Sequence, residues 1–304
     1  MRLEHLTKKE SFIETEYLKD ITRRALLYLS VGYSVHFKGP SGIGKTSLAF
    51  YIARILNKQA QIIFGNEEFG RRDLVGGNLG VSSTKVYDNY IHSVEKIQEK
   101  YSEHWINGKL LSACKNGDLL IYDEFTRSRP EANNVLLSVL EEGVIDLPLN
   151  KDNTKHVKIH PDFRIIFISN SEEYAGVFQS PDALKSRMIT IELDFPDIET
   201  EIEIVKKNTQ ISSENCKRIV KIVRQFRESI NFEFNPTVRS SIMLSDIITK
   251  NNIDLNDKDI LQKIFTDVLL SDSSSNKITK EKRDEATTYI LKLLQMSNWG
   301  EEIE

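Results

Sequence analysis

The residues most suited to chemistry form one short run in the first quarter of the chain, Gly39-Pro40-Ser41-Gly42-Ile43-Gly44-Lys45-Thr46. It matches the pattern G-x-x-x-x-G-K-T of a phosphate-binding loop. Glycines let backbone N–H groups converge on phosphate oxygens, Lys45 supplies a positive charge for the β- and γ-phosphates, and Thr46 offers a hydroxyl to Mg²⁺. The run therefore predicts a binding loop for ATP with Mg²⁺.

A second candidate site lies where an apolar run, Leu119–Tyr122, ends in two carboxylates, Asp123 and Glu124. Asp123 is suited to hold Mg²⁺ through its water shell, and Glu124 to orient or activate the attacking water. An apolar strand ending in acids is weakly specific by itself. Placed downstream of the phosphate loop, the pair predicts ATP hydrolysis.

Two further residues are candidates for sensing the nucleotide. Asn170 follows the apolar strand Arg164–Ser169, where a side chain between Glu124 and the γ-phosphate would respond to hydrolysis; the alternative is an ordinary strand-end turn. Arg239, near the start of a helix, is predicted to report bound nucleotide to the C-terminal domain.

One arginine is predicted to act on the nucleotide of a neighbouring subunit. Arg187 follows a short helix and is suited to stabilise phosphate charge in the transition state. The alternative is a surface arginine paired with an acid. Arg127 and Arg129, just after the carboxylate pair, are the other candidates.

Elements that alternate between strand and helix must position these residues. The pattern predicts an α/β fold with a parallel sheet, in which ligands bind at the carboxyl ends of the strands. We expect a nucleotide-binding core over residues 1–195, with an insertion at 65–117 that holds a hairpin or helix. Helices are predicted around Ile91–Tyr101 and over Pro130–Glu142, and residues 196–304 are predicted to form a smaller helical lid domain.

The amino-acid composition argues against several classes of binding partner and site. The 304 residues hold 41 Lys and Arg against 45 Asp and Glu, so the basic excess of a general nucleic-acid-binding protein is missing. Two distant cysteines, Cys114 and Cys216, predict neither a disulfide framework nor a zinc site. No run is apolar enough to predict a signal peptide or a membrane span. The expectation is a cytoplasmic protein that binds neither membranes nor nucleic acid.

Three blocks of sequence carry a family resemblance. The stretch Ile121–Glu142 (IYDEFTRSRPEANNVLLSVLEE), the segment Gly65–Gly70 with Asp73–Gly77, and the segment Asp88–Val94 are similar to the MoxR-like AAA+ ATPases, and among them to the gas vesicle protein N family. The resemblance covers residues 17–195 well and the remainder loosely. One departure is Ile43, at a loop position where related sequences often have a smaller polar residue.

The resemblance implies an ATPase of gas vesicle assembly. It would act on vesicle shell or accessory proteins and form a homo-oligomer, with a ring as one possibility. Two alternatives remain at this point: a MoxR-type chaperone that inserts metal or cofactor into another client, and an ATP-binding structural clamp with negligible hydrolysis. Glu124 argues against the clamp, because a clamp needs no carboxylate that orients water.

Overall fold

The structure is a computed structural model that describes residues 12–88, 96–150, 153–170, 178, 182–229, 235–271 and 279–297. It divides into two compact units. We call them the sheet unit, which comprises Arg24–Lys38 and Thr46–Glu192, and the helical unit, which comprises Met1–Arg23, Gly39–Lys45 and Leu193–Glu304. The loop Gly39–Lys45 thus groups with the helices, although the sequence places it in the core. The domain division at residue 195 stays a prediction.

Besides one short 3₁₀ helix, Phe125–Arg127, nine strands and twelve α-helices occur in the described residues. In chain order they are α1 (Glu16–Ser30), β1 (Ser34–Gly39), α2 (Lys45–Ile55), β2 (Ala60–Phe64), α3 (Arg71–Val75), β3 (Gly76–Asp88), β4 (Lys96–Asn107), α4 (Lys109–Asn116), β5 (Leu119–Asp123), α5 (Pro130–Asn133), α6 (Val135–Glu141), β6 (Val144–Asn150), β7 (Asn153–Lys158), β8 (Arg164–Asn170), α7 (Asp182–Lys185), β9 (Met188–Glu192), α8 (Ile198–Asn208), α9 (Ser213–Arg227), α10 (Val238–Lys250), α11 (Lys258–Leu269) and α12 (Lys280–Met296).

The main sheet has five strands in the order β2-β5-β8-β1-β9. The pairs β2–β5, β5–β8 and β1–β9 are parallel, as the alternation of strands and helices predicts. Every residue of β5 is buried, which explains its continuous apolar run. The carboxyl ends of these strands carry Gly39, Asp123 and Asn170, so the α/β fold class is confirmed.

Local sequence accounts for the helices beside the sheet. In α1 the buried side chains Ile21, Ala25 and Leu29 recur every four residues, which places them on one face of the helix. Gly32, with φ of 94°, follows the end of α1 in a left-handed conformation that suits glycine. Helix α1 therefore ends before Gly32, and α2 begins at Lys45, directly after the last glycine of the phosphate-binding loop.

The insertion between β2 and β5 contains a long antiparallel hairpin of β3 and β4, flanked by α3 and α4. A hairpin was one of the two expected contents, but the helix expected around Ile91–Tyr101 is wrong. Its first residues, 91–95, lie outside the described residues, and from Lys96 onward the backbone is strand. The conformation of this segment is determined by its pairing with β3, in which Ile97 lies opposite Tyr87. A short helical spacing of apolar residues is too weak a signal to outweigh that pairing.

One other expectation is refined. The helix expected over Pro130–Glu142 is present as two shorter helices, α5 and α6, which meet at Asn134. The strands β6 and β7 form an antiparallel hairpin. In the helical unit, α9, α10, α11 and α12 share one apolar core that includes Phe226 and Phe265. Among the described residues, no helix has the length and apolar character needed to cross a membrane.

Candidate functional site

The phosphate loop closes around its lysine. The Lys45 side chain is largely buried, and its Nζ donates hydrogen bonds to the carbonyl oxygens of Gly39, at 2.8 Å, and Pro40, at 2.6 Å. Gly42 and Gly44 have φ of 74° and 91°, values at which a side chain would be strained. The loop thus has the backbone freedom that phosphate binding requires, with one cation at the start of α2.

The other residues of the loop precede Lys45 in the sequence and differ in exposure. Ser41 and Gly44 are exposed, whereas Pro40 and Ile43 are partly buried.

The two predicted Mg²⁺ ligands lie in direct contact within the sheet unit. Thr46 Oγ1 donates a hydrogen bond of 2.6 Å to Asp123 Oδ2. The other Asp123 oxygen accepts the backbone N–H of Glu124 at 2.9 Å, which orients the carboxylate. A hydroxyl and a carboxylate at this separation fit Mg²⁺, which prefers oxygen ligands and takes few of them from the protein when phosphates supply others.

Glu124 lies immediately after β5 in an unusual backbone conformation. Its φ of 53° and ψ of 35° place a non-glycine residue in the left-handed region, a form of strain that occurs preferentially at functional sites. The side chain is 38% exposed, and its Oε2 forms an ion pair of 2.9 Å with Arg127 Nη1. The carboxylate is therefore accessible to water, and Arg127, one of the two alternative candidates for an arginine between subunits, contacts Glu124 of its own chain.

A buried polar network holds the turn that contains Glu124. The Tyr122 hydroxyl lies 2.8 Å from Ser128 Oγ and 3.0 Å from Asn133 Oδ1, and Asn133 Nδ2 donates to the Phe125 carbonyl at 3.3 Å. Burial raises the pKa of Tyr122 to about 12, and the hydrogen bond with Ser128 opposes this only in part. The phenol therefore stays protonated and neutral in this network.

Asn170 lies at the carboxyl end of β8, beside the strand that carries Asp123. The strands are parallel, with Tyr122 opposite Phe167, so Asn170 and Asp123 occupy the same edge of the sheet. The preceding residue, Ser169, lies 2.9 Å through its Oγ from Nε2 of the buried His36. The location of Asn170 agrees with the sensing role, which stays a prediction.

Sequence reasoning did not single out His36. Its Nδ1 lies 3.1 Å from Thr190 Oγ1, and its ring meets Phe125 edge-on with centroids 5.2 Å apart. A lone histidine in an apolar strand was the only available signal.

The structure places Arg187 in an ion pair within its own chain. Its Nη2 lies 2.5 Å from Glu141 Oε2, and its Nη1 donates to the Ala183 carbonyl at 2.5 Å. The side chain is 25% exposed. This is the contact of the alternative interpretation, a surface arginine paired with an acid, and the role between subunits stays a prediction. Arg129, just before α5, is exposed.

Arg239 lies in the first turn of α10, in the same unit as the phosphate loop. It is exposed, and its backbone N–H donates to Thr237 Oγ1 at 3.2 Å. Thr237 packs closely on the loop, since a Cβ atom at Gly42 would lie 2.5 Å from its Oγ1. Sequence analysis identified Arg239 as a candidate but did not identify Thr237 as a residue that contacts the loop. The only sequence signal at Thr237 was that a threonine at the start of a helix is a favourable N-cap.

Comparisons with known proteins agree with this arrangement. Residues 34–188 match the model of the AAA domain (dynein-related subfamily). The gas vesicle ATPase GvpN of Ancylobacter aquaticus is 41% identical over 280 residues, which cover 91% of this chain and 77% of that protein. The GvpN of Haloferax mediterranei is 38% identical over 286 residues, covering 94% of this chain and 81% of that protein.

A solved structure shows the same fold. A mutant of RuvB from Thermotoga maritima superposes with a TM-score of 0.54 at 22% identity and covers 88% of this chain and 74% of its own. At that identity the likeness concerns the fold alone. The similarity to GvpN proteins over 91% and 94% of this chain is the stronger finding, and the chain belongs to the gas vesicle ATPase GvpN family of AAA+ proteins.

Proposed function

We propose that this AAA+ ATPase hydrolyses ATP with Mg²⁺ to assist gas vesicle assembly, by remodelling or chaperoning shell or accessory proteins. The vesicle role is supported by the similarity to GvpN proteins over 91% of the chain. We further propose that the chain acts in the cytoplasm as a homo-oligomer, an arrangement that the predicted role of Arg187 between subunits would require.

The contact between Thr46 and Asp123 carries the catalytic part of the proposal. The hydroxyl and the carboxylate, 2.6 Å apart, are the two groups that would hold Mg²⁺. When bound, this ion neutralises charge on the phosphates. Lys45, already buried among the loop carbonyls, supplies a further positive charge for the β- and γ-phosphates.

Glu124 is proposed to orient the water that attacks the γ-phosphorus and to accept its proton. The bond from that phosphorus to the bridging oxygen breaks as the new P–O bond forms. The Tyr122 network holds the turn that contains the Glu124 backbone, and the Glu124 side chain is 38% exposed. The Glu124 carboxylate therefore has both a defined position and access to water. Arg127 must release the carboxylate for this role, a modest cost for an exposed ion pair.

The test is genetic complementation in a gas-vesicle-forming host that lacks its own copy of the gene. We expect the unchanged chain to restore vesicles, and Glu124→Gln to leave cells without normal vesicles, as seen by electron microscopy. Glu131→Gln is the matched control, because it makes the same chemical change at an exposed residue of α5 and should restore vesicles. Full restoration by Glu124→Gln at equal protein level would refute a requirement for hydrolysis and favour the clamp.

A further inference from the structure

A buried ion triad in the helical unit joins α8 to α9. Glu201, in the first turns of α8, has a side chain with no solvent exposure. Its Oε1 lies 2.8 Å from Arg227 Nη2, and its Oε2 lies 3.0 Å from Arg224 Nη1 and 3.3 Å from Arg227 Nη1. We call Glu201, Arg224 and Arg227 the Glu201 triad.

Both arginines of the triad also bind backbone carbonyls of two separate chain segments. Arg224 Nη1 donates to the Pro196 carbonyl at 2.8 Å, and Arg227 Nε donates to the Pro236 carbonyl at 2.6 Å. The Arg227 guanidinium also stacks on Phe195, with its carbon 4.1 Å from the ring centroid, a favourable cation–π distance. The triad therefore holds the segment before α8 and the segment before α10 in one arrangement.

Both of these segments also pack on the phosphate loop. The carbonyl of Leu193 lies so close to Gly39 that a Cβ atom there would clash with it. Thr237, the residue after Pro236, occupies the space that a side chain at Gly42 would need. Gly39 and Gly42 are both glycines of the phosphate loop, so each segment held by the triad touches one of them.

We propose that the Glu201 triad positions the phosphate loop for nucleotide binding, through the Leu193–Pro196 and Pro236–Thr237 segments. This proposal rests on the proposed function, since it assigns the triad to the same nucleotide site. Buried ion pairs add little net stability compared with apolar packing. The role assigned to this triad is therefore its geometry, which five directed hydrogen bonds define. The planar guanidinium of Arg227 contacts Glu201, the Pro236 carbonyl and the Phe195 ring at the same time. Lysine cannot replace it in these contacts, because its ammonium group is a point charge without the planar fork.

The test compares two conservative substitutions on the same helix. Arg227→Lys keeps the charge beside Glu201 but removes the fork that also reaches Pro236. Arg218→Lys is the matched control: Arg218 is 4% exposed on the same helix and pairs with Glu214, a residue outside the Glu201 triad. Affinity for a non-hydrolysable ATP analogue is measured by calorimetry, turnover at saturating ATP by phosphate release, and unfolding temperature by circular dichroism.

We expect Arg227→Lys to weaken nucleotide affinity on the order of tenfold, the usual scale for residues that act without touching the ligand. Turnover at saturating ATP should stay within about threefold, because no group that contacts the reacting atoms is changed. Arg218→Lys should lower the unfolding temperature similarly and leave affinity unchanged. A folded Arg227→Lys variant with unchanged affinity, or equal losses of affinity in both variants, would overturn the proposal.

A second variant covers the case in which Arg227→Lys does not fold. Phe195→Leu leaves all three charges in place and removes only the ring beneath Arg227. We expect it to fold and to weaken affinity about threefold, and unchanged affinity would overturn the proposal. The proposed function is judged separately, by whether the unchanged chain binds the analogue and releases phosphate.

Discussion

Replacement of Arg187 by alanine separates two explanations of this residue by magnitude. In the structure Arg187 pairs with Glu141, whose side chain is 57% exposed, and with the Ala183 carbonyl. An exposed ion pair contributes at most about 1 kcal/mol and a hydrogen bond about 1 kcal/mol. If Arg187 is only a surface residue, Arg187→Ala therefore costs about 1–2 kcal/mol of unfolding free energy and leaves turnover unchanged.

An arginine that stabilises the transition state contributes far more. Such a residue is worth on the order of a thousandfold in turnover, about 4 kcal/mol, with a much smaller effect on ground-state binding. We therefore expect Arg187→Ala to bind ATP almost normally and to release phosphate about a thousandfold more slowly. Glu141→Gln is the matched control, because it removes the other half of the ion pair and should leave turnover equal or up to about fivefold higher.

Mixing of variants shows whether the arginine acts between subunits. Lys45→Ala subunits have inactive nucleotide sites but keep Arg187, so next to Arg187→Ala subunits they should restore phosphate release. The assay first confirms by light scattering that both variants assemble and exchange subunits. A mixture no more active than its components refutes the role of Arg187 between subunits, and Arg127 and Arg129 are then the next arginines to test.

The remaining predictions concern the loop lysine, the water-orienting carboxylate, one helix cap and the two thiols. Lys45→Ala should strongly weaken ATP binding and hydrolysis together, and retained affinity by calorimetry would contradict the assignment. Glu124→Gln should bind ATP and release phosphate slowly; near-normal release would remove its role. Burial raises the pKa of Asp197, but hydrogen bonds from Thr200 outweigh this and lower it overall. The carboxylate caps α8, so Asp197→Ala should cost about 1 kcal/mol in urea unfolding at pH 7. This contribution is complete above a pH of about 4 and is lost as the pH falls through the lower folded-state pKa, so an equal cost at pH 3 would contradict it. Burial raises the pKa of Cys114 to about 12 and of Cys216 to about 11, so at pH 8 about one Cys216 thiol in a thousand is ionised. Neither should react with iodoacetamide before unfolding, and rapid labelling of the native chain, seen by mass spectrometry, would contradict the burial.

Local signals made the elements around the site predictable. The loop glycines, the helix that begins at Lys45, and the apolar strand that ends in Asp123 each depend on residues close in sequence. Backbone conformation, helical spacing and strand burial follow from such short patterns. The structure adds the distance that sequence lacks, namely the 2.6 Å between Thr46 and Asp123 across 77 positions.

Contacts between residues distant in sequence made other parts of the structure unpredictable from local patterns. The segment from Lys96 has a spacing that suits a helix, but β3 pairs with it along its length. Glu201 reads as one of several solvated acids at the start of an amphipathic helix. Its burial depends on two arginines 23 and 26 positions away, which no local pattern indicates.

His36 illustrates how residues remote in sequence can determine the arrangement of a site. It lies three residues before Gly39, and its ring bonds to Ser169, adjacent to Asn170, and contacts Phe125, adjacent to Glu124. A buried imidazole needs hydrogen-bonding partners, so the two hydroxyls around it satisfy a requirement that an apolar residue would not have. The two hydrogen bonds link β1 to β8 and β9, and the ring contact with Phe125 adds the turn after β5. The buried His36 is therefore connected to the candidate site: it contacts the residues next to Asn170 and Glu124, the polar residues at the ends of β8 and β5.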